Sequence, residues 1–342
     1  MNELAIYDVS AFVNRGMSRK DEYYGYPTGG INYLMDRIAV SFINRNAVVL
    51  CFDSPSFRKE KYSEYKCGRS KNPAVYSQIE TLFDGLQKCG IRCEKYSGFE
   101  ADDIVEWAVQ CNLERYRKGI VIWGNDVDLC HSIRPSVQFR TLAEEMNDIT
   151  SANFETALYA GVKIPFNTIS AYKVFCGCNS DKIPAIAIES GYRGYQLYQL
   201  WCNTMRNFGD LYNFEFGANP KVVEAFIKSS GIFTEEEKIK AMKNVELVYP
   251  AEKPEGVDII PTTWEDVDKY RLQWFLSQYG CRSALKCLDM KASTLTENEK
   301  QEIRRKANEL KSGAYAADRN LEHNTRSVKS SLISLDAFEK EF

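Results

Sequence analysis

Histidine is almost missing from the 342-residue sequence: His131 and His323 are all it has. That is too few for a zinc centre or a histidine-based triad, so any metal must sit on oxygen. Long apolar runs are missing as well. Nothing approaches the roughly 18 residues that cross a bilayer, and the opening Met1-Asn2-Glu3-Leu4 has neither a basic stretch nor a long apolar segment. A cytoplasmic protein with no membrane partner is expected. None of the eleven cysteines forms a C-x-x-C pair, and several (Cys51, Cys111, Cys202, Cys287) fall in apolar or helix-like segments. This speaks against a disulfide scaffold and for reduced thiols used as small apolar side chains. An excess of charge of one sign is absent too, since 44 basic and 47 acidic side chains leave a net charge of −3. Bulk charge does not point to a polyanion, but a pit of about seven carboxylates would account for the deficit with basic surface around it.

What is present suffices for a large core: 44% of residues are hydrophobic and 13% aromatic, enough for one large domain or two coupled ones. No internal repeat is found. The first half alternates strand and helix signals. Leu4 to Tyr7 is a short apolar run ending in Asp8, Ala47 to Phe52 a β-branched run ending in Asp53, and Gly119 to Trp123 another, just before Asp126 and Asp128. Between them, Ile31 to Ile43 and Val75 to Cys89 repeat apolar residues at helical spacing. The predicted fold class is α/β, a parallel sheet flanked by helices. Ligands of such sheets bind beyond the carboxyl ends of the strands, so three strands ending in aspartate bring their acids to one edge. After residue 165 the pattern is mainly helical, with helices expected over Thr168 to Cys176, Gly194 to Asn207, Pro220 to Lys228, Glu235 to Lys243, Trp264 to Tyr279 and Glu297 to Lys311.

The acids carry the chemistry. Glu100-Ala101-Asp102-Asp103 precedes an apolar helix, so its carboxylates fall at a helix N-terminus. Read singly, this cluster is a helix cap, Asp126-Val127-Asp128 a turn, and Asp181 a turn or cap residue. Read together, Asp8, Asp53, Glu100, Asp102, Asp126, Asp128 and Asp181 would repel one another unless cations lay between them. Oxygen ligands without histidine or thiolate select magnesium or manganese. Two such ions about 4 Å apart, clamping an attacking water and a leaving oxygen, make a phosphodiester hydrolase.

These residues resemble the 5′-nuclease family, which includes the N-terminal domain of bacterial DNA polymerase I, flap endonucleases and stand-alone phage exonucleases. Asp8 with Arg15, and Pro27-Thr28-Gly29-Gly30, look like its opening strand and first strand-to-helix passage. Phe52-Asp53, Phe57-Arg58, Tyr65-Lys66 and Arg69 match its second acidic motif and its arch. Gly98-Phe99-Glu100-Ala101-Asp102-Asp103 resembles the third motif, Gly124-Asn125-Asp126-Val127-Asp128-Leu129 the fourth, and Gly177 to Pro184 the start of a helix-hairpin-helix element.

The resemblance implies a PIN-like catalytic domain over residues 1–165 with an arch at about 57–88, a helix-hairpin-helix DNA-binding domain over 166–290, and a charged extension over 291–342. It implies Asp8, Asp53, Glu100, Asp102 and Asp126 around a first magnesium or manganese ion, Asp128 and Asp181 on a second, and Asp103 as a further metal residue. Lys66 and Arg69 would steady the scissile phosphate, with Asp8 and Asp126 in the catalytic set. Arg15, Arg58, Lys182 and Arg193 would meet DNA phosphates, and Tyr65 would stack on an unpaired base. The implied function is a 5′–3′ exonuclease and flap endonuclease on DNA, or on an RNA–DNA hybrid, working as a monomer in phage replication. Alternatives are a catalytically weakened DNA-binding accessory protein of the same fold, or a PIN-type ribonuclease. The sequence departs from the family at Cys178, where an aspartate is usual, and at Pro184-Ala185 with Gly191-Tyr192-Arg193-Gly194, where Pro-Gly and Gly-x-Gly are usual. A hairpin-bound potassium ion is expected with the usual pattern. The tail Ser331 to Phe342 spaces Leu332, Leu335, Phe338 and Phe342 as one stripe that either packs on the body or docks on a sliding clamp or single-strand-binding protein.

Overall fold

The computed structural model describes residues 3–68, 72–116, 119–142, 148–149, 158–159, 162–207 and 219–313. A six-stranded sheet runs in the order Cys93–Glu94, Ala47–Cys51, Leu4–Asp8, Ile120–Gly124, Val137–Thr141, Asp148–Ile149. All neighbours are parallel except the last pair. The first strand therefore lies at the centre. The chain builds outward from it on one side, then crosses to the other, so the strand order reverses between Leu4–Asp8 and Ile120–Gly124. That reversal is the crevice where open α/β sheets take ligands.

Alternate side chains of each strand face opposite layers. Leu4, Ile6, Val49, Ile120 and Ile122 pack with helix Ala101–Asn112 and with helices that follow residue 168. Ala5, Tyr7, Val48, Leu50, Val121 and Trp123 pack with helices Val9–Gly16, Gly29–Ile43 and Pro73–Lys88. Both faces are covered, as the near-continuous apolar strands require.

The expected domain boundaries and the packing differ. Leu272, Phe275, Leu276, Ala284, Leu285, Ile303 and Ala307 join the same core as Ile31, Leu34 and Leu82. The helix Glu297–Ser312, expected in a charged extension, keeps one apolar edge, Ile303 and Ala307, buried on the catalytic layer. The segment after helix Glu235–Val248 also returns to the sheet, where Thr262 bridges Val48. Among the described residues no helix is long and apolar enough to cross a membrane. Arg69, His323 and the tail from Ser331, with Leu335 and Phe338, lie outside the described residues.

Candidate active site

Asp8 closes the central strand and caps helix Val9–Gly16, its Oδ1 accepting the Ala11 N–H at 3.3 Å. Asp53, two residues beyond the neighbouring strand, accepts the Ala101 N–H at 2.9 Å and the Ser10 hydroxyl at 2.5 Å. Glu100 caps helix Ala101–Asn112 and Asp102 sits in its first turn. Asp126 caps the 3-10 helix Val127–Ser132 and accepts the Asp128 N–H at 3.0 Å. Three strand ends and a helix start thus deliver five carboxylates to the reversal point, with Asp128 and Asp181 beside them.

These acids feel one another. Burial first, then the charges of Asp53 and Asp126, push the Asp8 carboxyl up to about 7. Desolvation drives Asp102 well above the carboxylate range; Glu100, Asp126 and Asp8 add to that and Lys66 opposes it. Desolvation and Asp126 push Asp128 up to about 6, Lys173 pulling down and Asp181 up. One oxygen of Asp128, Oδ1, is buried without a hydrogen-bond partner. Among the described residues no three acidic, cysteine or histidine side chains converge closely enough to hold one ion as they stand. Protein cations and donors hold several of them: the Lys66 ammonium is 2.6 Å from Glu100 Oε1, Ser10 is on Asp53 and Lys173 is on Asp128. Burial lowers the Lys66 pKa, but Glu100 outweighs that and the net shift is upward. The Lys66 N–H also donates to the Asp181 carbonyl at 3.0 Å, which joins the base of the arch to the Asp181 turn.

Residues 4–158 match the family profile of the 5′-3′ exonuclease N-terminal, resolvase-like domain. Over those residues the chain is similar to the 5′-nuclease family. It is 31% identical over 119 residues to the 5′-3′ exonuclease of Buchnera aphidicola subsp. Acyrthosiphon pisum, covering 33% of this chain and 41% of that protein. Against the 5′-3′ exonuclease of Mycoplasma pneumoniae it is 26% identical over 246 residues, 69% of this chain and 78% of the relative. The chain spans about half the length of the first curated relatives it matches, 41% and 56%. A bacteriophage T5 protein crystallised with metal ions superposes with a TM-score of 0.51 at 15% identity, over 90% of this chain and 99% of that one. A T5 flap endonuclease complex with DNA and metal ions gives 0.50 at 14% identity, with the same coverage. At that identity the likeness is one of fold.

Three residues assigned from the family's motifs are used differently here. Arg58 is 3% exposed and all five of its N–H groups are taken. They go to both oxygens of Asp103 at 2.9 and 2.8 Å, to Glu100 at 3.4 Å, and to the carbonyls of Glu246 at 3.0 Å and Tyr249 at 2.8 Å. It has no donor left for a phosphate. Asp103, 0% exposed, also accepts the N–H groups of Ala251 at 2.7 Å and Glu100 at 3.0 Å. Burial would raise its carboxyl, but Arg58 outweighs this and holds it below the usual range, so it serves the fold and not a metal. Tyr65 is 5% exposed with its hydroxyl donating to Glu100 at 3.0 Å, leaving no ring face for a base.

Arg15, Lys182 and Arg193 are exposed. A hairpin does form despite the altered glycines: the Ile188 N–H donates to the Tyr192 carbonyl oxygen at 3.0 Å, and the Gly194 N–H to that of Ile186 at 2.8 Å. It joins helices Ile169–Cys176 and Gly194–Asn207 and exposes Arg193. Two residues went unnoticed in the sequence, Ser10 and Lys173. The second had a signal, a lone charge inside the apolar stretch Ile169 to Cys176.

Proposed function

We propose that this chain is a divalent-metal-dependent 5′-nuclease that hydrolyses DNA at a free 5′ end or a 5′ flap. The observation that carries the reading is the gathering of Asp8, Asp53, Glu100, Asp102 and Asp126 at the strand-order reversal, with Lys66 on Glu100. Their donors are all carboxylate oxygens, and the raised pKa of Asp8 marks a site short of positive charge, so a hard divalent ion fits. When bound, magnesium or manganese would polarise the phosphodiester and acidify a bound water. Asp8, Asp53, Glu100, Asp102 and Asp126 would hold the ion. Lys66, beside Glu100, would offset charge that grows on the scissile phosphate in the transition state, a role Arg69 would share. A second ion on Asp128 and Asp181 fits poorly: the remaining donor is the Cys178 thiol, a weak magnesium ligand.

Exposed Arg15, Lys182 and Arg193 supply phosphate contacts, and the hairpin backbone meets a duplex phosphate, without the glycine pattern that goes with a potassium ion. The T5 flap endonuclease described with DNA and metal ions supports DNA as the substrate. Action as a monomer in phage replication, on RNA–DNA hybrids too, and tail docking on a clamp or single-strand-binding protein complete the reading. Incubating a 5′-labelled flap oligonucleotide with the full chain tests it. Cleavage should need magnesium or manganese and stop in chelator; undiminished cutting in excess chelator would overturn the mechanism, and no cutting with either metal would favour the DNA-holding accessory protein.

A further inference from the structure

The helix Ile169–Cys176, ISAYKVFC, has one charged side chain, Lys173, which is 5% exposed. Its ammonium pairs with Asp128 Oδ2. On the next turn the Cys178 thiol donates to Asp181 Oδ2 at 3.5 Å and lies 3.0 Å from the Ser180 hydroxyl. Gly177 fixes how these groups face each other. It has φ +76°, and a Cβ there would sit 2.6 Å from the Ala185 nitrogen and the Ile183 carbonyl oxygen, so the link between Lys173 and Asp181 is a tight turn with little freedom.

We propose that the Lys173 ammonium is the resident cation of the Asp128–Asp181 flank, and that the chain consequently binds a single divalent ion, on the Asp8, Asp53, Glu100, Asp102 and Asp126 side. This rests on the reading of the site as a metal-dependent nuclease. The argument is one of charge and space. A buried ammonium needs its counter-charge, and taking Asp128 away would remove the carboxylate that Lys173 pairs with in the protein interior. A divalent ion on the same carboxylate would face the lysine's positive charge at short range. With Cys178 in the turn, the flank lacks a third carboxylate that could outweigh that repulsion, and its thiol hydrogen already takes a lone pair of Asp181. A fixed ammonium supplies charge but does not acidify water as a metal does, so this flank contributes electrostatics and positioning only.

Titrating the full chain with Mn2+, and reading free Mn2+ by electron paramagnetic resonance, counts the ions without recourse to activity. The wild type and Asp181→Asn should each saturate at one ion per chain. Cys178→Asp alone should stay at one, because Lys173 remains in place, whereas Cys178→Asp with Lys173→Met should rise to two. Two ions in the wild type, an ion lost in Asp181→Asn, a second ion gained by Cys178→Asp alone, or a folded double variant that stays at one would each overturn the proposal. Should the double variant fail to fold, the wild type and the two single variants decide the matter. Two bound ions with flap cleavage intact would overturn this inference and leave the nuclease reading standing; no bound ion and no cleavage would overturn both.

Discussion

Arg58 and Asp102 show opposite fates of charge in one small volume. Arg58 is fully matched by Asp103 and three other acceptors, so Arg58→Ala should leave the buried Asp103 charge without its counter-charge and cost about 3–5 kcal/mol in urea unfolding. An unchanged midpoint would show the pair is dispensable. Asp102 is poorly matched. Its carboxyl is pushed up by desolvation and by Glu100, Asp126 and Asp8, so Asp102→Asn should raise the melting temperature of the metal-free protein while removing cleavage. A lower melting temperature in chelator would contradict that account. Lys66→Ala should reduce kcat on the order of 10²-fold, by loss of a charge aimed at the phosphate, with a smaller change in DNA affinity; wild-type turnover would remove Lys66 from the chemistry. The acids at strand ends could be read from sequence because a β-branched run ending in aspartate is a local pattern. Arg58 could not: two of its acceptors, on Glu246 and Tyr249, lie 188 and 191 residues away, and a basic residue in an arch motif looks like a phosphate ligand until that segment covers it.

At the scale of elements, the helix that Asp8 caps is held by a close crossing. A Cβ on Gly16 would come within 2.5 Å of the Gly29 carbonyl oxygen, and one on Gly30 within 2.7 Å of Val13 Cγ1. Glycines here let helices Val9–Gly16 and Gly29–Ile43 touch backbone to backbone, and Gln78 Oε1 fills the helix entrance by accepting the N–H groups of Gly30 and Ile31 at 2.9 and 3.1 Å. Gly30→Ala should overpack this crossing and cost about 1–3 kcal/mol, checked by thermal and urea unfolding. An unshifted transition would mean the crossing can open freely. Helix positions were readable where apolar spacing was regular, but their ends followed capping. The spacing marks Val75 to Cys89, whereas the helix runs Pro73–Lys88 because Asn72 caps it and Pro73 takes the first turn. The expected single helix from Trp264 to Tyr279 is instead a 3-10 turn, Trp264–Asp266, and a helix Lys269–Gln278, since Asp268 caps a fresh start.

For the molecule as a whole, the crowded acids link stability to pH and metal. The folded-state pKa of Asp8 is about 7 against an ordinary 3.8, so between those values the folded chain binds the extra proton. Asp128, raised to about 6, does the same over a narrower window. Raising pH from 5 to 7 in chelator should therefore lower stability, by at most about 1.4 kcal/mol per pH unit for each such carboxylate, and level off above. Magnesium or manganese should flatten this slope, because a bound cation favours the ionised acids. A melting temperature that climbs from pH 5 to 7 without metal would refute the linkage.

The layer that contains Ala5, Tyr7 and Leu34 also contains Phe275, Leu285 and Ala307. During synthesis the chain emerges N-terminus first, and helices Gly29–Ile43 and Pro73–Lys88 leave the ribosome with part of their apolar surface still waiting for the late helices that carry Phe275, Leu285 and Ala307. That surface is apolar, with Leu34, Leu82 and Leu86 in it, the kind that chaperones hold. Expression of residues 1–165 alone should for the same reason yield insoluble material, and supplying the remainder as a separate polypeptide in the same cell should rescue it, making the chain a natural candidate for split-protein complementation.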